Sequence, residues 1–282
     1  MKFCLQLVVL SILLFSCEKD SSEEGGGDNP NIVGNNCRIN KIVYRDSSDS
    51  TPIGSIAANI NGIDQVISIT EFDSLSNFLL SYTDVYNFYD TVYVNDDEFF
   101  VEDPNGRLIK KFHGLVDPGN PSSPFYDVVY TYNTAGNLVK KVKALSQAPA
   151  VPIEQVDYSY SNGNLVSMNF RNLVSGKKIS DATLTYNLGI RPTNYFYLFP
   201  DAERDAAYNQ FFNFGKRSLN AVSTMKVKHY DNAGVVTDSL VSSFTQYQQS
   251  ADLYILKVLM QGDEQPSIPA KPGRMQLSYY CR

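Results

Sequence analysis

The sequence is poor in the residues from which catalytic and metal centres are most often built. Its 282 residues include two histidines, four cysteines and no tryptophan, and charged residues make up 19% of the chain with a formal net charge of −6. Two histidines exclude a multi-histidine metal site and allow at most one histidine-dependent triad. The weakly acidic balance leaves no basic surface for nucleic acid, so we expect no nucleic-acid partner.

The motifs of the common enzyme classes are also missing. The chain has no G-x-S-x-G, H-E-x-x-H or C-x-x-C motif and no phosphate-binding loop. His113 and His229 fall on predicted strands without a partnering motif, so we interpret them as ordinary sheet residues. The acidic runs 46–49 and 95–98 lack the ligand alternation of a calcium loop. We therefore expect no catalytic residue, no metal and no cofactor.

Residues 1–16 predict a signal peptide. Lys2 precedes an apolar run from Phe3 to Phe15, which is shorter than the roughly 20 residues that a membrane-spanning helix needs. The run ends in Leu14-Phe15-Ser16-Cys17, which resembles the lipobox of bacterial lipoproteins. This resemblance implies lipidation of Cys17 and attachment to a membrane through that lipid. The alternative is an ordinary secretory signal with a chance cysteine.

Residues 17–36 predict an acidic tether. Five of the 30 acidic residues lie between Glu18 and Asp28, and no aliphatic or aromatic residue follows Cys17 before Ile32. Such a segment buries too little apolar area to offset its ordering entropy, so we expect disorder and an end-to-end distance of roughly 25 Å. The early acids resemble the export signal of surface-exposed Bacteroidetes lipoproteins, which implies an outer-membrane protein on the cell surface. The periplasmic leaflet is the alternative.

The two remaining cysteines lie at opposite ends of the rest of the chain. Cys37 begins the first apolar segment after the tether, and Cys281 is the penultimate residue. In an oxidising compartment this placement predicts a disulfide. Such a bond requires the first and last strands to be neighbours, as in a sheet that curls back on itself. The alternative is two unpaired thiols.

A recurrent phrase predicts β-hairpins along the middle of the chain. Alternating segments rich in aromatic and β-branched residues flank turns that begin with Asp, Asn or Ser and end with Gly, at 103–106, 133–136, 161–163 and 231–234. An Asp or Asn side chain accepts backbone hydrogen bonds in such a turn, and glycine adopts the left-handed conformation that closes it. If four-residue turns set the register, the opposing pairs are Tyr132 with Leu138, Val128 with Val142, and Lys228 with Asp238.

The hairpins predict a mainly β fold, in which residues 37–282 form one domain with a large curved or barrel-like antiparallel sheet. One short helix is predicted near 201–214, because early acids precede apolar residues at helical spacing and Gly215 ends the segment. Several lysines fall on the central strands and would suit a lipid-facing wall poorly. They are Lys110, Lys111, Lys140, Lys141 and Lys228. We therefore expect a sheet outside the bilayer rather than a pore.

The hairpin phrases resemble a family of Bacteroidetes lipoproteins of unknown function, which have Tyr-Asp-like hairpin repeats and a porin-like β fold. The resemblance rests on phrases of the form Y-x-Y-(N/D)-x-x-G-N-L, on the start at Cys37–Ile42 and on the stretch Asn194–Tyr197. It covers most of residues 37–282. The family implies a barrel-like antiparallel sheet and supplies no catalytic residues.

Alternating tyrosines suggest a ligand surface, because tyrosine rings stack on sugars. The candidates are Tyr130, Tyr132, Tyr158, Tyr160, Tyr195 and Tyr197. The alternative is that these rings pack a β core. We expect a non-catalytic surface lipoprotein that binds a glycan, a peptide or an envelope partner. A structural envelope protein without a small ligand, or a hydrolase that uses carboxylates, are the alternatives.

Overall fold

The structure, a computed structural model, describes residues 37–73, 78–94, 98–115, 125–146, 150–199, 210–264 and 271–281, with backbone alone for 113–115. The predicted signal peptide and tether lie outside these residues. Within the part of the chain described, no helix has the length and apolarity needed to cross a membrane.

The described residues form a closed antiparallel β-barrel of sixteen strands. Each strand pairs with the strands that precede and follow it in sequence, and the first pairs with the last. The strands are β1 Cys37–Arg45, β2 Pro52–Ile60, β3 Val66–Asp73, β4 Phe78–Phe88, β5 Thr91–Val94, β6 Glu98–Glu102, β7 Leu108–Leu115, β8 Phe125–Tyr132, β9 Leu138–Leu145, β10 Val151–Ser161, β11 Asn164–Asn172, β12 Lys178–Asn187, β13 Ala221–Tyr230, β14 Val236–Gln249, β15 Ile255–Gly262 and β16 Gly273–Cys281. The predicted barrel-like sheet of successive hairpins is confirmed.

The barrel closes along a seam between β1 and β16. Cys37 lies directly opposite Cys281 in this pairing, and the two form a disulfide. The predicted bond and the predicted adjacency of the first and last strands are both confirmed. The seam continues through Ile42 opposite Leu277 and ends at Arg45 opposite Arg274, so backbone pairing holds the strands together along their full length.

The predicted turns close the hairpins by the expected chemistry. The amide of Gly136 donates to the carbonyl of Asn133 at 2.9 Å, and the Asn133 side chain accepts from the amide of Asn137 at 3.0 Å. Gly136 has a φ of 86°, which a side chain would strain. The turns at 103–106 and 231–234 repeat this pattern.

The predicted register is correct at Tyr132 opposite Leu138 and wrong beyond that pair. A β-bulge follows, so Val128 lies opposite Lys143 rather than Val142. The same shift after the 231–234 turn places Lys228 opposite Ser239 rather than Asp238. A bulge inserts one extra residue on one strand, and every pair beyond it moves by one position.

The connection between β12 and β13 fills one end of the barrel. Its described residues, 188–199 and 210–220, are called the plug here. Plug residues hydrogen-bond to the starts of the strands: the carbonyl of Asn213 accepts from the amide of Leu108 at 2.9 Å, and the amide of Leu219 donates to the carbonyl of Gly163 at 3.0 Å. The plug end is also the end that carries Cys37.

The helix predicted near 201–214 is wrong where the structure describes it, because residues 210–214 form no α-helix. The apolar side chains that suggested a helical face, Phe211 and Phe214, are both buried in the barrel core, together with Phe212 between them. Burying all of these side chains removes the exposed face that an amphipathic helix would have. Residues 201–209 lie outside the described part.

Side chains alternate between an inner and an outer wall, as period-two strands require. The inner wall and the plug share one apolar core, which includes Ile42 and Val128. The lysines divide between the walls: Lys111 and Lys141 are buried inside, whereas Lys110 alternates to the outer wall. The register likewise places Lys140 and Lys228 on the outer wall.

Candidate functional site

The six tyrosines predicted to bind ligand lie at the plug end and face the core. Tyr130 and Tyr158 reach inward from the wall and pack edge-on against Phe214 and Phe199 of the plug, each with ring centroids 5.3 Å apart. On the plug itself, Tyr197 donates its hydroxyl hydrogen bond to the carbonyl of Gly215 at 2.7 Å. These contacts agree with the alternative interpretation of the sequence, in which the tyrosine rings pack a β core. Ligand binding by these rings stays a prediction.

A second use of tyrosine repeats around the barrel. A tyrosine near the end of an even-numbered strand donates its hydroxyl hydrogen bond to a backbone carbonyl at the start of the preceding strand. The pairs are Tyr132 to Leu108, Tyr186 to Leu165, Tyr247 to Val222 and Tyr279 to Ile255. Burial raises the pKa of Tyr186 to about 12, so this hydroxyl remains a donor at neutral pH.

Tyr160 occupies the corresponding place on β10 but differs in one respect. Its buried hydroxyl has no hydrogen-bond partner among the described residues. In the Y-x-Y phrase of β8, the second tyrosine, Tyr132, is therefore a structural residue that fixes one strand to the next, whereas Tyr160 in the phrase of β10 makes no such bond among the described residues.

The outer wall carries a row of aromatic rings that was not predicted from the sequence. Tyr86, Tyr93, Phe99 and Phe112 are opposite one another in register across β4, β5, β6 and β7. Successive ring centroids are 5.9, 5.7 and 4.3 Å apart, and the planes of neighbouring rings differ by 28°, 33° and 22°. These four residues are called the aromatic ladder here.

The ladder ends differently on its two sides. At the β7 end, the ammonium group of Lys110 lies 3.8 Å from the centroid of the Phe112 ring and forms an ion pair with Asp127 at 2.9 Å. At the β4 end, Tyr86 is 49% exposed and Tyr82, two outward positions along the same strand, is 55% exposed. The accessible surface of this aromatic row is therefore concentrated on β4.

Strand alternation is what places these rings outside. Val85 is buried beside Tyr86, and Val92 and Val94 are buried on either side of Tyr93. Phe100 points into the core next to Phe99. Aromatic residues at successive positions, such as Phe99-Phe100, indicate a strand but do not show which of the two rings faces the core. The sequence therefore indicated aromatic strands here, but not that these rings lie on the outer wall.

Much of the outer wall away from the ladder is charged or hydroxylated. Arg171 and Asp157 form an ion pair on β11 and β10, and Lys178 pairs with Asp181 at 3.0 Å on β12. Thr185 and Thr224 hydrogen-bond to each other between β12 and β13 at 2.6 Å. The outer wall of β10 to β13 is thus polar, in contrast to the aromatic strip on β4 to β7.

The inner wall holds carboxylates in ion pairs with lysines. Glu98 lies 3.1 Å from the ammonium group of Lys111, and Glu154 lies 3.8 Å from that of Lys143. Burial raises the pKa of Glu102, at the plug end of β6, to about 7. The described residues contain no cluster of His, Cys, Asp and Glu that could hold a metal ion.

These features define a closed sixteen-strand antiparallel barrel whose own chain fills one end and whose outer wall carries an aromatic strip. Among solved structures, the chain is similar to a porin-like protein from Bacteroides uniformis at a TM-score of 0.57 and 12% sequence identity, over 86% of this chain and 98% of that one. A porin-like protein from Bacteroides vulgatus matches over the same shares at 13% identity and a TM-score of 0.47. No family model and no curated protein matches the chain. The similarity shows the porin-like fold that the family resemblance implied, while membership of the lipoprotein family stays a prediction.

Proposed function

We propose that the protein is a non-catalytic binding module of the outer membrane, anchored through lipid on Cys17, and that its aromatic ladder is the ligand surface. The observation that carries this proposal is the in-register row of rings together with the two exposed tyrosines of β4, Tyr82 and Tyr86. Large contiguous apolar patches on soluble surfaces mark sites of interaction. The arrangement of the rings does not depend on a bound ligand, because the backbone pairing of β4 to β7 sets their positions.

The chemistry of the exposed part of the site favours a neutral glycan. Asp84 lies between Tyr82 and Tyr86 on the outward face of β4, so a carboxylate alternates with two aromatic rings. Aromatic faces pack on the C–H faces of a sugar, and a carboxylate accepts hydrogen bonds from its hydroxyl groups. Apolar surface with a small number of placed polar groups is the usual composition of a small-ligand site.

The outer wall supports a position outside the bilayer. Asp157, near the middle of β10, and its ion-pair partner Arg171, near the end of β11, both face outward. Charged groups on a lipid-facing wall destabilise a barrel by about 2–4 kcal/mol each at the bilayer midplane. A lipid on Cys17 would then be the attachment to the membrane. The lipobox at 14–17 supports this anchor, and the acidic residues after it support exposure on the cell surface.

Glycan binding is tested with immobilised neutral glycans and a parallel panel of peptides. We expect Tyr86→Ala to weaken glycan binding about tenfold, as the loss of one stacked ring worth about 1.4 kcal/mol predicts. Val241→Ala is the matched control, because Val241 is 44% exposed on the outer wall of β14, across the barrel. Equal glycan affinities for the wild-type protein, Tyr86→Ala and Val241→Ala would contradict the proposal. Binding to peptides and not to glycans would show that the ligand is a peptide.

Anchoring is tested in cells by metabolic labelling with a radioactive fatty acid. We expect the label on the wild-type protein and its absence from the Cys17→Ala variant. External protease should degrade the labelled protein on intact cells. Full protection would place it on the periplasmic leaflet instead.

A further inference from the structure

Exposed apolar side chains surround the place where the tether joins the barrel. The tether enters the fold at Cys37, on the plug end. The turn between β14 and β15 on one side of the seam exposes Leu253 by 50%, and the turn between β2 and β3 on the other side exposes Ile63 by 65%. One hairpin further, Tyr89 is 91% exposed at the tip between β4 and β5.

The same end carries further apolar tips. Phe88 packs edge-on against Tyr89 with ring centroids 4.5 Å apart, and Phe88 remains 64% exposed. Leu188, directly after β12, is 72% exposed. Backbone hydrogen bonds close two of these turns: the amide of Asp64 donates to the carbonyl of Asn61, and the amide of Leu253 donates to the carbonyl of Ser250, each at 3.1 Å. Ile63 and Leu253 are therefore presented by turns whose backbone is hydrogen-bonded.

We propose that the plug end docks on the lipid surface, with Ile63, Phe88, Tyr89, Leu188 and Leu253 inserted at the level of the headgroups. This inference rests on the proposed lipid anchor at Cys17. Aliphatic and aromatic side chains, tyrosine among them, are the groups that favour the membrane interface. We assign a lipid bilayer as the occupant because of where the described chain begins. It begins at Cys37, in the middle of this surface, and the proposed lipid-bearing residue Cys17 precedes it by 20 positions.

The length of the tether makes weak insertion sufficient. The composition of residues 18–36 predicts a coil with an end-to-end distance of roughly 25 Å, which would hold an anchored barrel within a few nanometres of the bilayer. Tethering turns docking into an intramolecular event at an effective concentration of about a millimolar or more. Side chains that bind free vesicles weakly would thus be docked most of the time in the anchored protein. Docking of this end points the opposite end of the barrel away from the membrane.

The opposite end provides a matched control. Val174, at the turn between β11 and β12, is 74% exposed, and Val235 and Val236, at the turn between β13 and β14, are 60% and 45% exposed. These side chains resemble the proposed anchors in exposure and in turn position, but the tether does not join the barrel there. Apolar exposure alone would make both ends bind lipid equally.

The test uses the mature chain, residues 17–282, with Cys17→Ser so that no lipid is attached. Flotation with zwitterionic vesicles compares this protein with a variant carrying Ile63→Ser, Tyr89→Ser and Leu253→Ser. We expect the triple variant to lose at least about tenfold in vesicle partitioning, because three apolar side chains no longer leave water. A second triple variant, with Val174→Ser, Val235→Ser and Val236→Ser, should bind as the parent does.

Absence of vesicle binding by the parent, or equal losses in the two triple variants, would overturn the docking inference. Circular dichroism and the intact disulfide check that each variant is folded. The fatty-acid label at Cys17 is a separate measurement. Vesicle binding without the fatty-acid label would support the docking surface and reject the lipid anchor. The label without vesicle binding would support the lipid anchor and reject the docking surface.

Discussion

Removal of the Cys37–Cys281 disulfide is expected to weaken the barrel at its seam more than anywhere else. The bond joins residues 244 positions apart. In the chain-entropy model, a loop of that length restricts the unfolded chain by about 5 kcal/mol, which is an upper value. Measured losses for native disulfides are about 2–5 kcal/mol, against a total stability of about 5–15 kcal/mol for a typical protein.

The seam has a second source of stability that limits the loss. β1 and β16 remain paired from Ile42 opposite Leu277 to Arg45 opposite Arg274, beyond the bulge near Ile39. The variant with Cys37→Ser and Cys281→Ser should therefore stay folded in water, with β1 and β16 opening before the other strands. Local opening of one pairing at lower free energy than global unfolding is the general behaviour of folded domains.

Two measurements check this expectation. Urea unfolding should show a lower midpoint with a steeper slope, because the unfolded chain without the cross-link is less compact and exposes more surface. Hydrogen exchange followed by mass spectrometry should show faster exchange in β1 and β16 than in β8 and β9. Reducing agent should shift the wild-type protein towards the variant and leave the variant unchanged. A loss under about 1 kcal/mol, or faster exchange spread evenly over the barrel, would refute the reasoning.

Three further substitutions have distinct expected outcomes. Tyr132→Phe should lower the free energy of unfolding by about 1 kcal/mol, because a carbonyl of β7 loses its donor. Tyr160→Phe should change the free energy of unfolding little, because the Tyr160 hydroxyl has no partner among the described residues, and equal losses of the two variants in urea unfolding would contradict this. Gly215→Ala drives a Cβ into the carbonyl oxygen of Gly136, whereas Gly234→Ala, at the same φ of 82°, meets open space. Thermal unfolding should show a loss of about 1 kcal/mol for Gly234→Ala and a clearly larger loss for Gly215→Ala. Burial raises the pKa of Glu102 from 4.5 to about 7, so the free energy of unfolding of the wild-type protein should fall as pH rises through this interval. Urea unfolding at pH 5 and pH 8 should show a smaller fall for Glu102→Gln, and an equal fall in the two proteins would contradict this.

The sequence was most informative where a local rule decides the structure. Turns such as 133–136 depend on one side chain that accepts backbone hydrogen bonds and one glycine, so they were predictable. Two cysteines at the ends of the domain indicated that the first and last strands are neighbours, whereas a closed barrel and an open curved sheet were equally compatible with the sequence. The register beyond the turn was not predictable from turn length, because a bulge adds a residue that only the paired strand reveals.

The plug and the ladder depend on contacts between distant residues. The early acids and helical spacing near 201–214 gave a local preference for helix, but at 210–214 burial of Phe211, Phe212 and Phe214 against the barrel decides the conformation. The tyrosines of the Y-x-Y phrase were equally ambiguous between core and ligand surface. The hydroxyl contact of Tyr132 with a carbonyl of the preceding strand became visible only once the strands were paired.

The order of the strands has a consequence for how the chain assembles. Every pairing except that of β1 with β16 joins strands that follow each other in sequence. Hairpins of this kind form from segments that are close in the chain, so each can add to the one before it at a small entropic penalty for loop closure. Only the last step must bring together residues separated by nearly the whole domain. Pairing from the N-terminus onward can thus build most of the wall before the C-terminal strand is added, and ring closure and formation of the Cys37–Cys281 disulfide complete the barrel together.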